Sequence, residues 1–470
     1  MLATQRRIHH RAQSSARAEA AAQQLQPGAL TPFDATARFE LKGEPGRIVQ
    51  DIINISPDAV FIAVAIGYGF EQDRTGPLKL FDDITTPPIS KIPGTELTLG
   101  TFPVTALIEG FRLHPDFENV MFQPLPANGP ASSSGDFSLQ PVSKDLLNRT
   151  FQLVQPLKDI TFLFSMLDSS SGRELMDEPV HNLAGLGKSN GERPFRALAN
   201  PLQFLPRSTV RMQVIEQTSG VSGTLFIVLY GYKILVGSAC PEPSAQWTSN
   251  AAAQGSLVNL AGDRAIPFDY VAKFPLTGRA GNELEDEITI TTEGAFVATA
   301  IGYGLAVEDD SVVFNRDKYA GALDAGDKTL VHLDQIPLNA LPPSSLLDGI
   351  RIRPDFLRVA LQPGGALSKV QLDVADLIFE RLNRSDDVNF RYTFYDAGTG
   401  QAWQNFPLFN IAGLGIANGL RPFKQLCRPA VLLPRSTLRI TVKEQFGRGV
   451  LFIAFQGYKR VGAYGSGGKS

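Results

Sequence analysis

The sequence predicts an all-β chain: two tandem homologous antiparallel β-sandwich domains of jelly-roll type, preceded by an N-terminal arm. Three observations lead there. Six blocks of the first half recur, in the same order, in the second half. The most regular segments alternate apolar and polar residues with period two, the pattern of half-buried antiparallel strands. The 470 residues include Gly 43, Pro 32 and Phe 30, a composition suited to many short strands joined by turns.

The arm comes first. Residues 1–31 carry Arg6, Arg7, Arg11 and Arg17 against Glu19 alone, a net of 4 − 1 = +3, so the rest of the chain holds −6 of the total −3. SSARAEAAAQQLQ contains good helix formers. The arm reads either as a frayed terminus or as a segment that orders on a partner protein through its four arginines. Four arginines on a chain of net charge −3 argue against nucleic acid as a partner.

The duplication organises everything after the arm. PFDATARFELKG at 32–43 matches PFDYVAKFPLTG at 267–278, and FIAVAIGYG at 61–69 matches FVATAIGYG at 296–304. GFRLHPDF at 110–117 matches GIRIRPDF at 349–356, and NLAGLGKSNGERPF at 182–195 matches NIAGLGIANGLRPF at 410–423. LPRSTVRMQVIEQ at 205–217 matches LPRSTLRITVKEQ at 433–445, and LFIVLYGYKILVG at 225–237 matches LFIAFQGYKRVG at 451–462. The offsets run 235, 235, 239, 228, 228 and 226 residues, the mark of a colinear duplication with insertions between blocks. The units are therefore 32–237 and 267–462, with 238–266 as a linker of small and polar residues and 463–470 as a tail. Each unit has the size of a whole domain, far beyond a solenoid repeat.

Within a unit the LPRST block gives the clearest strand. Val210, Met212 and Val214 alternate with Arg211 and Gln213, as Leu438, Ile440 and Val442 alternate with Arg439, Thr441 and Lys443. A Gly turn and a second apolar run follow, and together they read as a long hairpin. DIINI and FIAVAIGYG read as a second hairpin around SPDA. ITFLFSMLD at 160–168 and VNFRYTFYD at 388–396 read as strands. KDLLNRT and ADLIFERLNRS are short helix candidates, and the Pro-rich stretch 84–100 reads as loops or edges.

The search for chemistry assigns no catalytic, cofactor or metal residue. Cys240 and Cys427 cannot form a disulfide framework. His114 aligns with Arg353 and His181 with Phe409, so no His/Cys/Asp cluster with ligand spacing recurs. In AGLGxxNG the third glycine is displaced (Gly185, Gly187 and Gly191) and the βαβ setting of a dinucleotide loop is missing, so its glycines read as shaping a tight loop. No apolar run approaches the roughly 20 residues of a membrane helix, and the N-terminus shows no secretory signal. Charged residues shared by the units, Arg112 and Arg351, Asp116 and Asp355, Arg193 and Arg421, Arg207 and Arg435, read as structural. In that reading P-D-F starts a turn, with the aspartate capping it and an arginine pairing nearby. Two other classes stay open. A glycan-binding sandwich would use Trp247, Trp403 or Tyr395 as an exposed platform. A hydrolase would use Asp116 or Asp355 with Glu109 or Asp348.

The terminal blocks LPRSTVRMQVIEQTSGVSGTLFIVLYGYK (205–233) and LPRSTLRITVKEQFGRGVLFIAFQGYK (433–459) resemble the ends of virion structural proteins of tailed bacteriophages. The likeness covers about the last 50 residues of each unit. It implies a non-enzymatic structural role in a capsid, neck or tail, assembly in the host cytoplasm, and other virion proteins or further copies of the chain as partners. The tandem sandwiches also resemble the double jelly-roll plan of some viral major capsid proteins, in which trimers of two-domain subunits imitate hexamers.

Overall fold

A computed structural model describes residues 30–82, 91–92, 97–124, 137–169, 171–176, 178–186, 195–235, 264–307, 312–318, 320–383, 388–416 and 423–461. The arm arginines, Arg193, Arg421, Trp247 and Cys240 lie outside them. The first half contributes nine principal strands. They are β1 (Leu30–Leu41), β2 (Ile48–Asn54), β3 (Ala59–Gln72), β4 (Phe111–Leu113), β5 (Phe151–Val154), β6 (Phe162–Asp168), β7 (Phe195–Phe204), β8 (Thr209–Glu216) and β9 (Gly223–Leu235). The second half supplies their counterparts β10 (Arg264–Thr277), β11 (Glu283–Thr289), β12 (Ala295–Ala306), β13 (Ile350–Ile352), β14 (Phe379–Arg381), β15 (Asn389–Asp396), β16 (Phe423–Leu432), β17 (Thr437–Phe446) and β18 (Arg448–Val461).

The chain is an all-β sandwich protein. In the first half a front sheet of order β1-β9-β3-β7 faces a back sheet of β2-β8-β6 extended by Arg173–Glu174. In the second half the orders are β10-β18-β12-β16 and β11-β17-β15 extended by Gln401–Ala402. Consecutive strands thus alternate between sheets, the connectivity of a jelly roll. Both expected hairpins are overturned by this pairing. β8 pairs with β2 and β6, whereas β9 pairs with β1 and β3. DIINI accordingly pairs with the LPRST strand and not with FIAVAIGYG. Period two reports which face of a strand is buried, not which strand lies beside it, and here each turn carries the chain from one sheet to the other.

Three repeated blocks have local work. Asn182 takes an N–H from Phe162 (3.1 Å) and donates to the Tyr68 hydroxyl (3.1 Å) and the Ile160 carbonyl (3.2 Å). Asn410 makes the same three bonds to Phe390, Tyr303 and Val388. One buried amide per sandwich therefore ties the start of the back-sheet strand to the tyrosine of the IGYG strand. Glu216, 2% exposed, gathers the β1–β2 turn by accepting the Gly43 N–H (2.7 Å), the Glu44 N–H (3.0 Å) and Arg47 (2.7 Å). Glu444 does the same with Thr277, Gly278 and Asn282. The third block is LPRS. Ser208 donates back to the Leu205 carbonyl and Ser436 to Leu433, closing β-turns with proline second and arginine third. Arg207 (φ 63°) and Arg435 (φ 66°) occupy the left-handed region there, which a side chain normally avoids.

The middle of each unit leaves its sandwich. Phe111 of β4 pairs with Ile350 of β13, giving one continuous sheet of order β14-β13-β4-β5 with Thr75–Pro77 at its edge. These two residues are equivalents, since 350 − 111 = 239, the offset of their block. Leu99 donates to the Ile336 carbonyl (2.9 Å) and Leu338 donates to the Leu97 carbonyl (2.7 Å). With 338 − 99 = 336 − 97 = 239, the two bonds exchange under a local twofold. Phe102, Leu107, Phe111 and Phe151 from one half share a single buried core with Leu338, Leu346, Ile350 and Phe379 from the other. KDLLNRT is helical, as Lys144–Thr150. ADLIFERLNRS is helical only to Ile378 and then turns into β14.

Candidate assembly interface

A contact surface lies between the sandwiches, on the outer side of the first front sheet. Along β1 the inner residues Phe33, Ala35, Ala37 and Phe39 fill the first core, so Asp34, Thr36, Arg38 and Glu40 point outward. An outward Asp34 should be wet, yet it is 8% exposed. Phe226, Val228 and Tyr230 of β9 likewise belong to the core cluster of the second sandwich. The second half covers this face with β16, the short helix Asn410–Gly413 and the outer side of β15.

Four contacts define the geometry. Lys424 of β16 meets Asp34 at 2.5 Å, both buried. Arg391 of β15 meets Glu71 of β3, its Nε at 2.9 Å. The Tyr230 hydroxyl donates to the Ala412 carbonyl. Finally, Gly69 of β3 lies so close to the helix that a Cβ there would come within 2.5 Å of the Ala412 nitrogen, so only glycine permits the approach. The edge of β1 is also capped: Asp34 donates to the Trp403 carbonyl (3.0 Å), and Asn405 donates to the Thr36 carbonyl (3.1 Å). An open strand edge is a template for unwanted pairing, and this one is closed within the chain.

The electrostatics follow from burial. Desolvation raises the Asp34 carboxyl above the ordinary carboxylate range, with Lys424 offsetting part of the rise. Desolvation also raises Glu71, with the hydrogen bond and charge of Arg391 offsetting part of the rise. Burial pushes the Cys427 thiol, which lines a small cleft with Asp34, Trp403 and Lys424, up to about 12. It is not an activated nucleophile.

The residues singled out in the sequence scatter. Arg112 sits in the shared layer, donating to Gln152 (3.1 Å), with its guanidinium over the Phe446 ring and burial lowering it to about 10. Its counterpart Arg351 pairs with Glu380 at 2.6 Å. Asp116 and Asp355 lie in the short turns Pro115–Phe117 and Pro354–Phe356, both exposed. In the first turn the cap is His114, whose ring accepts the Asp116 N–H (3.2 Å), not the aspartate. Asp348 is buried against Arg381 (3.4 Å), whereas Glu109 is not among the buried residues. Arg207 and Arg435 are exposed at the tips of their turns. Trp403 is 3% exposed between the sandwiches and so offers no glycan platform, while Tyr395 is exposed. Among the described residues no group of three or more His, Cys, Asp or Glu side chains gathers, and no helix is long and apolar enough to cross a membrane. Sequence reasoning missed Asp34 and Lys424. Their signal was present: Asp34 lies in a repeated block and Lys424 directly follows one.

No family model and no curated protein matches the sequence. Among solved structures the chain is similar to the STIV MCP at 9% identity, over 91% of this chain and 96% of that one, with a TM-score of 0.17. It is similar to the mavirus major capsid protein at 7% identity over 91% and 86%, TM-score 0.11. It is also similar to the N-terminal CBM22 tandem domain of Paenibacillus barcinonensis Xyn10C at 6% identity over 90% and 93%, TM-score 0.12. Two of these three neighbours are viral capsid proteins. Overlaps of this size carry no argument about geometry or function.

Proposed function

We propose that this chain is a non-enzymatic structural component of a virion and works through its contact surfaces. In this reading the units 32–237 and 267–462 are two building blocks, joined by the linker 238–266. The +3 arm docks on a neighbouring virion protein. The observation that carries the reading is the buried face between the sandwiches: a jelly-roll sheet whose outer side is built for a second jelly roll, in a chain that holds two of them. The resemblance of the terminal blocks adds the tailed-phage setting, with assembly in the host cytoplasm. The double jelly-roll plan favours the shell over neck or tail, since two like blocks per chain suit a surface tiled by repetition. The test is proteomic. Density-purified particles from a host producing this chain are expected to contain it at high copy number, retained after nuclease and high-salt washes. Its absence from washed particles overturns the reading.

A further inference from the structure

The contact between the sandwiches is not symmetric, and its asymmetry leaves two vacant halves. The outer side of the front sheet of the first unit meets a flank of the second formed by β16, the helix Asn410–Gly413 and β15. Among the described residues, the front of the second unit and the matching flank of the first, formed by β7, the helix Asn182–Gly185 and β6, have no such partner, yet each retains the corresponding residues.

On the vacant front, Asp269 stands where Asp34 stands and Gly304 where Gly69 stands (offset 235), and Phe452 replaces Phe226 (offset 226). On the vacant flank, Arg196 stands for Lys424 and Ala184 for Ala412 (offset 228). Asp269, Val271, Arg196, Leu183 and Ala184 are all exposed, Val271 by 46% and Leu183 by 47%, whereas Ile411, the counterpart of Leu183, is 6% exposed. The two glycines make the sharpest contrast. A Cβ at Gly69 would strike Ala412, but a Cβ at Gly304 meets nothing within 4 Å. Glycine weakens a strand interior, and among the described residues no neighbour requires one at 304.

The paired differences point the same way. Asp269 with Arg196 keeps the charge complementarity of Asp34 with Lys424. The Glu71–Arg391 ion pair becomes Ala306 with Leu163, so acid and base are lost together and no charge would be buried alone. We propose that a second copy of this chain docks here head to tail, that flank of its first unit covering the front of the second unit. Arg196 then meets Asp269, and Ala184 seats against Gly304. The inference rests on the virion reading only in taking self-association as the work of the chain.

The test uses the full-length chain, followed by sedimentation velocity and native mass spectrometry across concentration. Gly304→Val leaves the fold intact, since its side chain has room, and is expected to abolish association. Arg196→Glu and Asp269→Lys, both at exposed positions, each weaken association at least about tenfold, and the combined charge swap restores most of it. A chain monomeric at all concentrations overturns the proposal, as does association unaffected by Gly304→Val. Particle proteomics separates the two readings. A chain abundant in particles whose association ignores Gly304→Val sinks the docking and leaves the virion role. A chain absent from particles yet associating as described does the reverse.

Discussion

Asp34 and Lys424 form a buried ion pair whose members come from opposite ends of the sequence. Removing one partner strands the other charge and costs about 3–5 kcal/mol, whereas replacing both with apolar residues is close to neutral. Lys424→Met alone is therefore expected to lower the unfolding midpoint in urea strongly, and Asp34→Leu with Lys424→Met to recover most of it. The pH dependence has a definite sign. Burial raises the folded Asp34 carboxyl above its unfolded value, so the folded state binds its proton more tightly. Stability from this group grows as pH falls through the raised value, is complete below the ordinary value near 3.8, and is lost as pH rises again. Asp34→Asn, which has no carboxyl to titrate, is expected to lack this rise in urea titrations across pH. Arg207 and Arg435 present the opposite case, a local strain without a buried partner. Arg207→Gly is expected to stabilise by about 1 kcal/mol, readable as a raised urea midpoint with unchanged slope. A variant that gains stability but loses assembly would show why both units tolerate the strain.

At the scale of elements the chain relies on a few buried polar ties. Glu216 and Glu444 each hold the turn after the first strand of their sandwich, but Glu216 also binds the charged Arg47, where Glu444 binds the neutral Asn282. Hydrogen bonds to charged groups are worth roughly twice neutral ones. Glu216→Gln is thus expected to cost more than Glu444→Gln, about 3 against 2 kcal/mol, measured by denaturant unfolding. The existence of the strands was legible, because Val210, Met212 and Val214 alternate cleanly and the duplication shows each pattern twice. Strand neighbours were not legible, because alternation is silent about pairing. The unbroken apolar run of LFIVLYGYK held more than was read from it. A strand apolar on both sides needs cover on both sides, and Phe226, Val228 and Tyr230 find theirs in the other sandwich. The shared layer was least legible, because its strands of three or four residues are too short to display a period.

The whole molecule combines two kinds of contact: a twofold exchange in the shared layer and a directional packing of one sandwich on the next. The first sandwich has a core of its own, but the core of the shared layer takes residues from both halves. Residues 30–237 produced without the remainder expose Phe102, Phe111 and Phe151 and are expected to aggregate, whereas co-production with 264–461 yields a soluble complex, scored by the soluble fraction and by size exclusion. The pairing of Phe111 with Ile350 also sets a clock on biosynthesis. The ribosome must add 239 residues after Phe111 before its partner exists. At about 5–20 residues per second this is a wait of roughly 10–50 s. Through that interval the nascent first half holds an unfinished apolar surface, so the yield of this protein depends on what shelters it until translation reaches its second half.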